Sequence, residues 1–121
     1  MTVTKNEHSI DERLELSMLY DFYGALLKEN QRRMFEASIL KDFNFSEIAL
    51  DEGITRQGVH DTVKRAIKKL RGYEEKLGLV EKFTEQQKLI KQLRDKLEAA
   101  GMTDNCEFQE IYNLLEKILE E

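Results

Sequence analysis

The chain has 121 residues and a formal net charge of −5, with 24 acidic against 19 basic side chains. This length fits one domain, or one small domain with an extension, and it allows a buried core. One cysteine and two histidines exclude an internal disulfide and argue against a structural zinc site, and no apolar run is long enough to cross a membrane. Residues 1–10 also lack the apolar core of a signal peptide, so we expect a cytoplasmic protein without membrane insertion.

The absence of proline and the abundance of Leu, Glu, Lys and Ile predict an all-α chain of about six helices. The first helix begins near Ile10, because Ser9 and Glu12 have the spacing of a capping box. This helix has two apolar stripes and therefore needs cover on two sides, by its own domain and by the C-terminal helices or a second subunit, which predicts a homodimer. One stripe consists of Leu14, Met18, Leu19, Phe22 and Leu26, and the other of Leu16, Tyr20, Tyr23 and Leu27.

Two shorter helices are predicted next. One starts at residue 28 or 29 and runs to about residue 42, with an interruption at residues 43–45. The other covers residues 47–52 after an N-cap at Ser46, and Gly53 ends it in the left-handed conformation. Thr55 then caps a fourth helix, whose inward stripe is predicted to contain Val59, Val63, Ala66, Ile67 and Leu70.

The C-terminal part has a different pattern. From Leu79, apolar residues recur at alternating spacings of four and three, which is typical of a heptad seam. Gly101 stops the seam, and Asp104 or Asn105 can cap a last helix with the same spacing. We expect a C-terminal helical extension over residues 79–121, or an antiparallel helical hairpin, because the connecting loop is short.

Residues 45–70 have the pattern of a helix-turn-helix. Ala49 is the small residue that lets two helices cross closely, and Gly53 is the left-handed residue of the turn. The sequence therefore predicts a helix-turn-helix domain over residues 10–78. The apolar residues expected to hold its two helices together are Ile48, Ile54 and Val59.

The second helix of a helix-turn-helix presents its first outward side chains to a major groove. Arg56 and Gln57 are the residue types that bridge guanine and adenine edges, and Thr55 with the helix N-terminus can hold a phosphate. Residues 55–73 carry six basic and one acidic side chain, net +5, between two acidic flanks. The predicted nucleic-acid-binding residues are Thr55, Arg56, Gln57, His60, Lys64, Arg65 and Lys68, with Lys69 and Arg71 as further contacts to the phosphate backbone.

Two residues oppose tight binding of DNA by this helix. Asp61 lies on the same predicted face and repels phosphate. Gly58, in the first turns, lowers helix stability by about 1 kcal/mol relative to alanine. A helix-turn-helix used only for packing, with solvated basic residues, is therefore the alternative.

The middle of the chain contains, in order, Arg32, Phe35, Ser46-Glu47-Ile48-Ala49, Gly53-Ile54-Thr55-Arg56-Gln57-Gly58-Val59, Val63-Lys64-Arg65-Ala66 and Leu70. This series resembles region 4 of bacterial sigma factors. Two further motifs flank it, Leu16-Ser17-Met18-Leu19-Tyr20-Asp21-Phe22-Tyr23-Gly24 and Tyr73-Glu74-Glu75-Lys76-Leu77-Gly78-Leu79. With them the chain resembles, over roughly residues 10–100, the YlxM family of small bacterial helix-turn-helix proteins.

This resemblance implies an all-helical fold with a sigma-region-4-like core, and dimers. It also implies a regulatory role in the signal recognition particle pathway, because members of the family are encoded beside that pathway's GTPase. Components of the particle are therefore possible partners. In sigma region 4, the positions that match Arg56, Gln57 and His60 bind promoter DNA.

The sequence contains no pattern of catalytic residues that we recognise. It has no glycine-rich phosphate loop and no G-x-S-x-G motif, so we expect neither an enzyme nor a cofactor. His8 is expected in a mobile tail, and Cys106 is expected to be a partly buried small residue.

The sequence leaves three functions open. The first is a regulator that binds DNA, the particle's RNA or the particle's proteins in the signal recognition particle pathway. The second is an operator-specific DNA-binding transcriptional regulator. The third is a protein-binding adaptor without affinity for nucleic acid.

Overall fold

The computed structural model describes residues 8–101 and 106–120, and these residues are helical apart from short turns and contain no strand. The predicted all-α fold is confirmed. Contacts divide the chain into two compact units, one ending at Val80 and one beginning at Glu81. No helix of the described residues is long and apolar enough to span a membrane. The α-helices are α1 (Ile10–Tyr23), α2 (Glu29–Phe35), α3 (Phe45–Glu52), α4 (Arg56–Leu77), α5 (Leu79–Ala99) and α6 (Cys106–Glu120).

Helix α1 begins where the sequence predicts. The Ser9 hydroxyl accepts a hydrogen bond from the backbone N–H of Glu12, at 3.1 Å. Of its two apolar stripes, the one with Leu16 and Tyr23 is buried in the first unit, and Leu19 belongs to this buried side as well. The other stripe remains at least a third exposed in the chain, at Leu14, Met18, Phe22 and Leu26.

The segment after α2 departs from the predicted continuous helix. Residues Glu36–Leu40 form a π-helical turn, closed by a hydrogen bond from Lys41 N–H to the Glu36 carbonyl at 2.9 Å. The Arg13 guanidinium of α1 donates to the Ile39 carbonyl, at 3.1 and 3.2 Å. The last carbonyl groups of a helix have no N–H partner within it, and here a side chain distant in sequence donates to one of them.

The N-cap of α3 is Asn44, and the prediction of Ser46 was wrong. The Asn44 side-chain oxygen accepts from Glu47 N–H at 2.8 Å, and the Glu47 carboxylate accepts from Asn44 N–H at 3.0 Å. This reciprocal capping box requires a Glu or Gln three residues after the cap, and Ser46 has Ala49 at that position. The helix therefore starts at Phe45, whose side chain is buried.

The core of the first unit forms around α4, which packs against α1, α2 and α3. Gly78 ends α4 in the left-handed conformation. The inward stripe of α4 is the predicted one, since Val59, Val63, Ala66, Ile67 and Leu70 are each at most 8% exposed.

The second unit contains α6 and nearly all of α5 as an antiparallel pair. Arg94 donates to Glu116 at 3.1 Å, and four residues further along α5 Glu98 accepts from the hydroxyl of Tyr112, four residues earlier on α6. The reversed order of these pairs gives the antiparallel direction of the predicted hairpin. Leu115 is its buried apolar residue, and the predicted cap at residue 104 or 105 lies outside the described residues.

Candidate nucleic-acid interface

The turn between α3 and α4 has the local chemistry that a helix-turn-helix needs. Gly53 has φ 70° and ψ 31°, the left-handed conformation that glycine adopts without steric cost. The Thr55 hydroxyl accepts from Gly58 N–H at 3.0 Å and caps α4, as predicted. Ala49 is buried at the crossing, whereas Ile54, which we expected to hold the two helices together, is 40% exposed.

The contacts around residue 58, in the first turn of α4, explain why a glycine stands there. A Cβ at this position would lie 3.2 Å from the Thr55 Oγ1 and 3.4 Å from the Ile54 Cδ1. Both distances are at or below ordinary van der Waals contact, so glycine makes room for the capping hydroxyl. The residue that weakens the helix by propensity thereby supports its N-cap.

One face of α4 is exposed and carries the predicted polar and basic side chains. Gln57, Lys64, Arg65 and Lys68 are all exposed and lie opposite the buried stripe, at helical spacings of seven, one and three residues. Thr55 is at the start of this face, as the cap. Five of the seven predicted site residues therefore lie along one side of the helix.

Arg56 and His60 lie on the flank of that face, beside Phe45 of α3. The Arg56 guanidinium carbon is 5.9 Å from the centroid of the Phe45 ring, and the His60 ring meets the same ring edge-on at 5.6 Å. The sequence pattern did not identify Phe45 as part of the site, because it placed this residue in an interruption between helices. Its position two turns before the turn glycine, at the start of a capped helix, is the signal that could have identified it.

Asp61 has a specific partner on the exposed face. The Gln57 amide donates to the Asp61 carboxylate at 3.0 Å, and the same carboxylate oxygen is 3.6 Å from His60 Nδ1. This contact orients the Gln57 side chain and offsets part of the negative charge. Gln57 keeps its amide oxygen and a second N–H, which are the groups that pair with an adenine edge.

Lys69 and Arg71 make contacts within the domain, in contrast to their predicted place along a phosphate backbone. Lys69 Nζ is 3.4 Å from the amide oxygen of the buried Gln31. Arg71 donates to Glu12 and Glu15 of α1, both at 3.1 Å. The basic surface of α4 therefore ends near residue 68.

His8 is also placed differently from the prediction of a mobile tail. Its Nδ1 lies 2.6 Å from the Glu12 carboxylate, and its side chain is only 17% exposed. Hydrogen bonds from His8 and then from Arg71 lower the pKa of the Glu12 carboxyl below its usual value. His8 precedes the N-cap Ser9, so the pair joins the residue before the cap to the first turn of α1.

Other chemistry finds little support among residues 8–101 and 106–120. They contain no group of three His, Cys, Asp or Glu side chains that could hold a metal ion. Cys106 is exposed, and the prediction that it is partly buried was wrong.

The fold and this surface define a helix-turn-helix protein. The family model described as "Putative helix-turn-helix protein, YlxM / p13 like" matches residues 10–117. The chain therefore belongs to this family, UPF0122.

Curated relatives have similar lengths. The chain is 48% identical over 85 residues to a UPF0122 protein of Caldanaerobacter subterraneus, which covers 70% of this chain and 73% of the relative. It is 40% identical over 111 residues to a UPF0122 protein of a Thermoanaerobacter species, with 92% and 93% covered. A UPF0122 protein of Halalkalibacterium halodurans is 35% identical over 109 residues, with 90% and 95% covered.

Proposed function

We propose that this protein is a non-enzymatic regulator that binds nucleic acid through the exposed face of α4. The observation that carries the proposal is the exposed face of α4 that follows the capped helix start, where Gln57, Lys64, Arg65 and Lys68 lie with Asp61 bonded to Gln57. The domain with this activity is residues 10–78, and residues 79–121 form an extension. The contact residues are Thr55, Arg56, Gln57, His60, Lys64, Arg65 and Lys68.

The two parts of α4 have different roles in this proposal. Arg56 and Gln57 lie in the first turn, which is the part of a recognition helix that reaches base edges. Lys64, Arg65 and Lys68 lie two to three turns further on, where they can pair with phosphates as point charges. Phosphate pairs supply most of the salt-sensitive affinity, and base contacts supply the sequence preference.

The salt dependence of binding tests the proposal. Each phosphate contact contributes about 0.9 to the slope of log affinity against log salt on duplex DNA, so three contacts contribute about 2.7. We expect a triple variant, Lys64→Ala, Arg65→Ala and Lys68→Ala, to lose up to that much of the slope. The matched control removes three exposed lysines of α5, Lys82, Lys91 and Lys96, and leaves the slope of the wild type.

The same binding measurement can also refute the proposal. If neither duplex DNA nor structured RNA binds at low salt, or if the slope is near zero, the helix-turn-helix does not contact phosphates. A protein-binding adaptor is then the better description. A pull-down from nuclease-treated lysate tests that alternative directly.

Sequence preference separates the two regulatory settings. In the signal recognition particle pathway the ligand is DNA or the particle's RNA, and proteins of the particle are further candidates. An operator-specific transcriptional regulator is favoured by the way Asp61 orients the amide of Gln57. In that case Gln57→Ala and Arg56→Ala abolish sequence preference, by about 1–3 kcal/mol per base contact, whereas variants at phosphate contacts weaken all sequences equally.

We also propose that the protein acts in the cytoplasm as a homodimer. The exposed apolar stripe that runs along α1 into the turn after it, with Leu14 63% and Leu26 57% exposed, supports a second copy as its cover. Light scattering at tens of micromolar, roughly the range for an obligate dimer, is expected to give twice the chain mass. Leu14→Glu is expected to give a monomer, and a monomeric wild type at this concentration refutes the dimer.

A further inference from the structure

A pocket of about 230 Å³ lies beside the proposed contact face, in the unit that ends at Val80. It forms where the start of α1, the start of α3 and the middle of α4 meet. Phe45, Val63 and Ile67 supply its apolar surface. The polar side chains that line it are His8, Glu12, His60, Lys64 and Arg71.

Basic side chains dominate the polar lining of this pocket. Both histidines of the chain are there, together with one lysine and one arginine, against a single carboxylate. That carboxylate, Glu12, already lies 2.6 Å from His8 Nδ1 and accepts from Arg71 at 3.1 Å. A lining with this excess of basic side chains suits an anion. The described residues contain no group of three side chains that could hold a metal ion.

The charges around the histidines are nearly balanced when both imidazoles are neutral. From α4, Lys64 and Arg71 line the pocket, and Arg56 packs over Phe45. Three carboxylates of residues 8–101 oppose them: Glu12, Glu15 on Arg71, and Asp61 at 3.6 Å from His60. From α3 the lining residue is the uncharged Phe45. Protonation of either histidine therefore makes the local charge positive.

We propose that this pocket binds a phosphate group, and that its affinity rises as His8 and His60 become protonated. The inference rests on the proposed function, because a nucleic-acid backbone along α4 would present its phosphates beside the pocket. Inorganic phosphate has the same chemistry and is the second possible source. Apolar walls strengthen the interaction, since charges attract more strongly in a less polar medium.

Two measurements test this inference. The first is the affinity for a DNA duplex at pH 5.5 and pH 7.5 at constant ionic strength. Histidine side chains change charge between pH 5 and pH 8, so uptake of about one proton on binding raises the affinity at pH 5.5 by about tenfold. We expect His8→Gln and His60→Gln each to reduce this ratio and the double variant to bring it close to 1. Lys82→Gln, on exposed α5, is the control and retains the wild-type ratio.

The second measurement needs no nucleic acid. Titration of the two imidazoles by NMR, in inorganic phosphate and in chloride at matched ionic strength, reports their pKa values in the whole chain. Phosphate is expected to raise both pKa values. Lys64→Gln, an exposed substitution that should not disturb folding, is expected to reduce that increase, which keeps the test valid if His60→Gln unfolds the domain.

The outcomes distinguish this inference from the proposed function. If phosphate raises the pKa values but no nucleic acid binds, the pocket stands as a site for inorganic phosphate and the proposed function fails. If the duplex binds with the same pH ratio in wild type and in the double histidine variant, and phosphate leaves both pKa values unchanged, the pocket is refuted and the proposed function stands.

Discussion

The hydroxyl of Tyr23 connects three elements of the first unit. The Tyr23 side chain is 1% exposed, and its O–H donates to the Glu74 carboxylate at 2.6 Å. The same hydroxyl oxygen accepts from Leu79 N–H at 3.1 Å, and the Glu74 carboxylate accepts from Val80 N–H at 3.0 Å. Leu79 and Val80 are the first residues of α5, whose N–H groups have no partner within the helix. We therefore expect Tyr23→Phe to destabilise the domain.

The size of the effect follows from these contacts. A hydrogen bond to a charged group contributes about 1.5–3 kcal/mol, and an unpaired backbone N–H has a further penalty when water cannot reach it. Because Leu79 is 44% exposed, water can reach this part of the chain and the further penalty should be small. The expected loss is therefore about 2 kcal/mol in the free energy of unfolding, measured by urea denaturation with far-ultraviolet circular dichroism.

Tyr73→Phe is the matched control. Its ring lies 5.9 Å from the ring of Tyr23 and packs against the same core, yet its hydroxyl makes no hydrogen bond to a residue that the structure describes. We expect a change within about 0.5 kcal/mol there. Equal destabilisation by the two substitutions would refute the role of the Tyr23 hydroxyl. Glu74→Gln combined with Tyr23→Phe should then also show no coupling energy.

Further predictions concern two glycines and the N-cap of α3. Gly53→Ala should lower the free energy of unfolding by about 1 kcal/mol, because φ is 70° at this position. Gly72→Ala should raise it by up to about 1 kcal/mol, because Gly72 lies within α4 and an added Cβ would meet nothing within 4 Å. Thermal unfolding gives both signs, and the same sign for both contradicts the assigned conformations. Asn44→Ala should destabilise by about 1 kcal/mol and Ser46→Ala by less than about 0.5 kcal/mol, and the reverse order would restore Ser46 as the cap.

Local chemistry explains why much of α4 could be predicted from the sequence. A helix with one buried side must show apolar residues at a period of 3.6, and Val59, Val63 and Ile67 follow it. The caps are equally local, since Thr55 bonds an N–H three residues away and Gly53 needs only its own freedom of φ. Such features depend on a few neighbours along the chain.

Features that depend on distant contacts could not be predicted in this way. The N-cap of α3 is not one of them, since Glu47, three residues after Asn44, is a local signal that the prediction of Ser46 overlooked. The π-helical turn after α2 ends against Arg13, which is 26 residues away from Ile39. Neither composition nor periodicity contains this information.

The net charge of +5 over residues 55–73 overstates the positive charge available to a ligand. Arg71 pairs with Glu12 and Glu15, and Lys69 contacts Gln31. The basic side chains at the C-terminal part of this segment are therefore bound to groups of α1 and α2. The remaining positive surface is the proximal part of α4, which is also the part that a helix-turn-helix places in a groove.

The number of phosphate contacts should therefore be smaller than the six basic residues of this segment suggest. Lys64, Arg65 and Lys68 give a salt slope of about 2.7 on duplex DNA, whereas further contacts from Lys69 and Arg71 raise it to about 4.5. A measured slope near the larger value would mean that Lys69 and Arg71 leave their partners on binding. Glu12→Gln and Glu15→Gln would then increase affinity at low salt, and with a slope near the smaller value they should have little effect.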